Sequence, residues 1–272
     1  MSDYFLVWSA QTSSGNRSDS PVYLERKASE AYAILRDYCN YLAEPVVDLG
    51  CGAGELLGYL LGSINIVKAV DYSESMLSAA RSRICNIKLH QAPDFVCAGV
   101  DILSDLSEGV WISTGALSQY SSRDQLREII FCFQQNNAAK HLILFDTIDP
   151  VRRLMLPLIA YHNDYDSNGI ACEPKSRINQ AKLAKMLVFA KRLLKILLYV
   201  PFSTFFGFAM LVLGACGSSG VCRLPGSLMG YGVLPSFWKL AARQFGLKLS
   251  LLSSREFEYR YHVVISKDLD RA

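Results

Sequence analysis

Apolar and polar residues fall in alternating blocks between residues 45 and 150. Pro45-Val46-Val47-Asp48 is a short apolar run closed by an acid, and a helical pattern opens soon after at Glu55-Leu56-Leu57. Ile66 to Asp71 is a second apolar run, again closed by an acid. Tyr72-Ser73-Glu74-Ser75-Met76-Leu77 then predicts a helix start, with Ser73 or Ser75 as its cap. Ile87-Lys88-Leu89-His90-Gln91 predicts a third strand, Val110 to Leu117 a fourth and His141 to Asp146 a fifth. Strands separated by helical stretches predict right-handed βαβ crossovers and a mostly parallel sheet. Upstream, Ala28, Ala31, Tyr32, Ile34, Leu35 and Tyr38 recur near every 3.6 residues and predict a helix from Tyr23 to Tyr41.

At the other end, Tyr231 to Arg243 reads as a helix with Ser236 near its start and Gly246 just past its end. Leu247 to Leu252 and Tyr259 to Lys267 are two strand-like runs. Four segments are expected: an N-terminal cap over 1–44, an α/β core over 45–150, an apolar helical insertion over 151–230, and a helix with two strands over 231–272.

The first candidate chemistry is the loop Asp48-x-Gly50-x-Gly52-x-Gly54. Glycine permits positive φ and close approach of a ligand to the backbone. A helix start just beyond offers backbone N–H groups. The spacing is not the G-x-G-x-x-G that cradles a pyrophosphate, and no P-loop Lys-Ser/Thr follows. An acid at the start of the loop repels phosphate and attracts an ammonium group. Asp71, about 20 residues beyond the glycines, can accept hydrogen bonds from both ribose hydroxyls.

This order of acid, glycines and second acid resembles the class I S-adenosylmethionine-dependent methyltransferases, closely from Val46 to Pro150 and more loosely at the C-terminal end. The resemblance implies an α/β fold: a doubly wound, mostly parallel sheet with a terminal antiparallel strand pair and a helical insertion between strands 5 and 6. It implies that S-adenosyl-L-methionine is the cofactor, with Asp48, Gly50, Cys51, Gly52 and Gly54 at its amino-acid end and Asp71 at its ribose. Tyr72 and Met76 follow Asp71 on the same side. An acid beside the adenine amine is expected after the third strand; Asp94 matches it, with Asp101 as the competing position. Phe95 and Met76 each stand between core packing and a place against the adenine. Thr114 ends the fourth strand, facing the cofactor.

The activity implied is methyl transfer to a small-molecule acceptor, at oxygen, with an apolar or lipid-linked substrate. A methyltransferase fold retained as a binding or scaffold subunit is one alternative, and a nucleotide-dependent oxidoreductase is another. A general base helps when the nucleophile is a hydroxyl. Ser118-Gln119-Tyr120 occupies positions where related small-molecule enzymes often hold a histidine, and none is present there. His162, directly after an apolar helical turn, is the first candidate catalytic residue, followed by Tyr120 and Asp146. His90, His141 and His262 lie in or beside strand-like runs and are expected to be structural.

Composition adds two constraints. The net charge of +3 over 272 residues is too small and too scattered to argue for nucleic acid. The eight cysteines form no C-x-x-C pair and none stands with histidine at zinc spacing, which points to a reduced, cytoplasmic protein without a metal site. Met1 to Ala10 lacks the pattern of a signal peptide. The apolar excess concentrates in the second half. From Asn179 to Cys216, Lys182, Lys185, Lys191, Arg192 and Lys195 lie among leucines, a basic amphipathic pattern followed by an uncharged run from Ile196. Pro201 and Gly207 break that run. Three roles stand open for residues 179–216: a cap over the pocket or a homodimer contact, a peripheral contact with the inner face of a membrane, or a re-entrant hairpin.

Overall fold

The computed structural model describes residues 21–40, 42–85, 87, 92–152, 220–223, 231–255 and 259–267. The chain divides into two units, one of Met1–Pro150 with Ser219–Ala272 and one of Val151–Ser218. The described elements belong to the first. His162 and residues 179–216 lie outside the described residues.

Helix α1 spans Pro21–Tyr38. Strand β1 (Val46–Leu49) leads through the glycine loop to the short α2 (Leu57–Leu60), and β2 (Ile66–Asp71) leads to α3 (Glu74–Ile84). Strand β3 (Asp94–Cys97), a 3-10 turn (Val100–Ser104), β4 (Val110–Thr114), α4 (Ala116–Tyr120), α5 (Arg123–Gln135) and β5 (His141–Ile148) follow. The C-terminal part supplies β6 (Val221–Arg223), β7 (Tyr231–Val233), α6 (Pro235–Phe245), β8 (Lys248–Ser253) and β9 (Arg260–Ser266).

Seven strands form one sheet in the order β3-β2-β1-β4-β5-β9-β8. The first five are parallel, while β9 runs antiparallel to both β5 and β8. This is the doubly wound sheet with a terminal antiparallel pair that the resemblance implies. Side-chain alternation along the strands builds two cores. Leu49, Trp111, Leu142, Leu144 and Val263 face α5 and α6, packing with Ile129, Phe133 and Trp238. Val46, Ile112, Ile143, Phe145 and Val264 face α1 and α2, packing with Ala31, Leu35, Leu57 and Leu60.

Local signals account for most boundaries. Ser73 caps α3 by accepting from the Met76 N–H, and Ser122 forms a capping box with Gln125 at α5. Gly246 closes α6 in the left-handed region, its N–H turned back to the Ala242 and Arg243 carbonyls. Two expectations need correction. The third strand of the sheet is Asp94–Cys97, which pairs with β2; of the run expected there, residues 88–91 lie outside the described residues. Tyr231–Val233 is a strand rather than the first turn of a helix: it pairs with β6, and Pro235 disfavours helical geometry at Leu234 before it.

One buried network joins α6, β9 and β7. The Trp238 Nε1–H donates to the Tyr261 hydroxyl at 2.9 Å, and that hydroxyl donates to the Val233 carbonyl at 2.6 Å. Tyr261→Phe leaves a buried indole N–H and a carbonyl without their partner, so it is expected to cost about 2–4 kcal/mol, with a urea denaturation midpoint lowered accordingly and the m-value unchanged.

Candidate active site

The parallel strands all end at one edge, and a cavity of about 690 Å³ opens there. Ligand sites of open α/β sheets lie at that edge because the chain switches direction on either side of it. Asp48, Gly50, Cys51, Gly52, Asp71, Tyr72, Met76, Thr114 and Tyr120 all line this cavity.

The glycine loop is pinned to β2 by its own backbone. The Gly50 and Cys51 N–H groups donate to the Val70 carbonyl at 2.7 and 3.0 Å. The Gly52 N–H donates to Asp71 Oδ2 at 2.9 Å, and the Gly54 N–H to the Cys51 carbonyl at 3.1 Å. A phosphate cradle needs such N–H groups turned toward the ligand. Here four of them are already bonded within the protein, and what faces the cavity is carboxylate. The glycines are there for close packing and for access. A Cβ on Gly50 would collide with that of Ala116, one on Gly54 would press on Ala80 at 3.0 Å, and one on Gly52 would meet nothing within 4 Å. Gly54 therefore seats the loop on α3, whereas Gly52 leaves space beside the ligand cavity.

Two buried acids set the electrostatics. Asp71 accepts from the Gly52 and Ser73 N–H groups, yet its pKa remains raised because burial outweighs those bonds. Asp48 is 4% exposed and its Oδ1 is buried without a hydrogen-bond partner. Burial, and then the charge of Asp71, push its carboxyl up to about 7. The Thr114 Oγ1, also on the cavity wall, is likewise buried without a partner. Burial and both acids drive the Cys51 thiol far up, so it stays protonated and neutral. Burial, then Asp71 and Tyr120, push the Tyr72 phenol up to about 12. The ligand edge thus carries one desolvated carboxyl short of hydrogen-bond partners and a second held in place by backbone N–H groups.

Not every expected residue reaches the cavity. Asp94 and Phe95 are absent from its lining, because they begin β3 and so sit at the end of the strand away from the ligand edge. Phe95 packs under the Arg81 guanidinium instead, 5.5 Å from ring centroid to Cζ. Asp101, the competing acid, lies on the 3-10 turn after β3 and does line the cavity. His141 bonds Ser266 Oγ at 2.9 Å between β5 and β9. Asp146 is held by two cations: Lys27 of α1 and, at 3.3 Å, Arg260 of β9. Both cations line the cavity, and no sequence pattern marked either one.

Residues 46–132 match a family model described as a methyltransferase domain. No curated protein matches the chain. Among solved structures, the chain is similar to magnesium protoporphyrin IX methyltransferase (ChlM) from Synechocystis PCC 6803 with bound SAH, at 15% identity and a TM-score of 0.52 over 97% of this chain and 92% of that one. It is also similar to an S-adenosylmethionine-dependent methyltransferase from Clostridium acetobutylicum ATCC 824, at 12% identity and a TM-score of 0.52 over 92% of this chain and 95% of that one. The sheet order, the loop and the matched segment define a Rossmann-like methyltransferase domain. The fold is that of class I S-adenosylmethionine-dependent methyltransferases, and residues 46–132 carry the matched methyltransferase domain.

The raised pKa of Asp48 has a measurable sign. An acid protonated more readily in the folded state costs stability as pH rises from its unfolded value, near 3.8, through its folded value, about 7. Asp48→Asn removes that cost. Relative to wild type, the variant is expected to gain up to roughly 4 kcal/mol of unfolding free energy between about pH 4 and pH 8. Denaturant melts of the ligand-free proteins across that range check it; parallel pH profiles for the two would show that Asp48 is ionised normally.

Proposed function

We propose that the protein transfers a methyl group from S-adenosylmethionine to an oxygen of a small-molecule acceptor with an apolar or lipid-linked body. The observation that carries this reading is the loop whose N–H groups are bonded internally while Asp48 lines the cavity with its Oδ1 buried and without a hydrogen-bond partner. That arrangement suits a nucleoside carrying an ammonium group and disfavours a pyrophosphate. It also weighs against the oxidoreductase alternative.

Asp48 would hold the ammonium of the cofactor, and Asp71 the ribose. Asp101, rather than Asp94, is the acid on the adenine side, with Tyr72 and Met76 beside it. When bound, the cofactor supplies a methyl group on a sulfonium, ready for in-line displacement. The chain's own part is to align the two reactants and exclude bulk water, which together account for most of such a rate enhancement. Tyr120 lines the cavity past the end of β4 and stands on the acceptor side in this reading. Residues 179–216 carry the basic amphipathic pattern that suits an apolar or lipid-linked acceptor. A cytoplasmic protein that touches the inner face of a membrane is consistent with that pattern.

Isothermal titration with S-adenosylmethionine tests the reading directly. Micromolar or tighter binding is expected from the folded protein, and no binding would leave a scaffold. Asp71→Asn loses the charge and keeps one of the two oxygens that accept the Gly52 and Ser73 N–H groups, so a denaturation midpoint is measured beside the titration. The substitution should weaken cofactor binding about tenfold to a hundredfold, since each hydrogen bond to a charged group contributes roughly 1.5–3 kcal/mol. His162→Ala should slow transfer of the labelled methyl group to acceptor while leaving cofactor affinity unchanged. Wild-type rates in that variant would remove His162 from the acceptor side.

A further inference from the structure

The cavity is electrically lopsided. Its buried acids, Asp48 and Asp71, stand on β1 and β2. Its two basic residues, Lys27 and Arg260, stand on α1 and β9. In the sheet, β9 lies three strands from β1 and four from β2, a separation of roughly 15–20 Å. One end of the space is therefore anionic and the other cationic.

The cationic end is built rather than incidental. Lys27 and Arg260 are nearly buried, with side chains 15% and 9% exposed. They share one carboxylate, Asp146. Burial alone would raise the pKa of Asp146; Lys27 and then Arg260 hold it down to about 2, so it is a full anion and two cations face it. Asp146 stands at φ 57°, the one non-glycine residue in the left-handed region among the described residues, at the irregularity in the β5–β9 register. Its N–H donates to His262 Nδ1 at 3.3 Å and its carbonyl accepts from the Gln119 side chain at 3.2 Å. Holding such a residue there costs on the order of 1–3 kcal/mol and is a feature of functional sites. Glu55, which lines the cavity next to Leu56, is paired with Arg83 at 3.5 Å, and the other nearby acid, Glu30, does not line the cavity. It accepts from the Arg255 N–H at 2.6 Å and the Ser254 hydroxyl at 3.2 Å, and lies 3.1 Å from His262 Nε2. The charge left facing the cavity at this end is positive. Leu24, one helical turn before Lys27, and Leu56 give the same wall an apolar surface.

We propose that Lys27 and Arg260 are the anion subsite of the acceptor pocket, and that the acceptor is an apolar carboxylic acid whose carboxylate is seated there. This rests on the methyltransferase reading above and adds the class of substrate. A cationic cofactor bound over β1 and β2 and an anionic acceptor bound toward β5 and β9 match the polarity of the cavity. Lysine and arginine together give a carboxylate both point charge and directed N–H donors. The leucines receive the hydrocarbon.

Titration of decanoate into protein saturated with S-adenosylhomocysteine tests this. Decanoate should bind, and decanamide of the same length should bind about tenfold or more weakly, since a charge-assisted bond is lost. Lys27→Met should weaken decanoate by a similar factor, and Lys27→Arg should recover most of the loss. Affinity for S-adenosylhomocysteine should stay within about twofold in both variants. No binding of decanoate, equal affinity for acid and amide, or an unchanged decanoate affinity in Lys27→Met overturns the subsite. Should Lys27→Met fail to fold, the comparison of acid with amide on the wild type decides alone. Failure of the folded wild type to bind S-adenosylhomocysteine overturns the methyltransferase reading and the subsite with it. Binding of the cofactor product without discrimination between acid and amide overturns the subsite alone.

Discussion

The hydrogen bonds that Asp71 accepts from the Gly52 and Ser73 backbone N–H groups fix the ligand edge of this protein. One oxygen anchors the loop after β1 and the other the turn after β2, so a single carboxylate sets the distance between two βα crossovers. Val70 reinforces it by taking the Gly50 and Cys51 N–H groups on its carbonyl. With its donors bonded to β2, the loop has little to offer an anion. Asp48 is left at the floor of the cavity with an oxygen unpartnered. The backbone donors thus point into the protein rather than into the cavity, and the glycines permit that close-packed geometry.

Buried charge is costly, and this chain carries it at both ends of one cavity. At the β1–β2 end Asp48 pays by partial neutralisation, its carboxyl pushed up to about 7. At the β5–β9 end Asp146 stays ionised because two cations surround it. These are different solutions to the same desolvation problem. Asp48 is left short of partners, whereas Asp146, which holds basic side chains in position, is paired with two cations. The packing that supports both is large: the two faces of the sheet are covered by separate helix sets, with Trp111, Phe133 and Trp238 fully buried on one side and Leu35, Leu57 and Leu60 on the other.

Helix α1 joins packing to chemistry. Its apolar stripe, Ala28, Ala31, Ile34 and Leu35, seals one face of the sheet. The same helix carries Lys27 to Asp146 and Glu30 to the segment before β9. A helix that begins 25 residues before β1 in the chain therefore closes the far end of the cavity, and the wall it makes is both greasy and positive.

Much of this was legible in the chain itself. Apolar runs closed by acids marked β1 and β2, and the β4 and β5 runs were legible the same way, because a buried parallel strand must be apolar along its whole length. Gly50, Gly52 and Gly54 marked the loop because only a glycine-rich turn leaves a strand so tightly. Ser73 and Gly246 marked helix ends because capping is a local hydrogen-bond requirement. The tertiary structure alone decided the rest. The third strand was obscured because Asp94–Cys97 is an edge strand, half-exposed and without a strong apolar run, and its true position exchanged Asp94 for Asp101 at the cavity. Val221–Arg223 is too short to read without its partner β7. The Lys27–Asp146–Arg260 cluster joins residues more than a hundred positions apart, and only the placement of β9 beside β5 brings them together. Periodicity and capping are short-range physics that a sequence displays directly, whereas an ion pair between distant segments is a consequence of strand order and has no local signature.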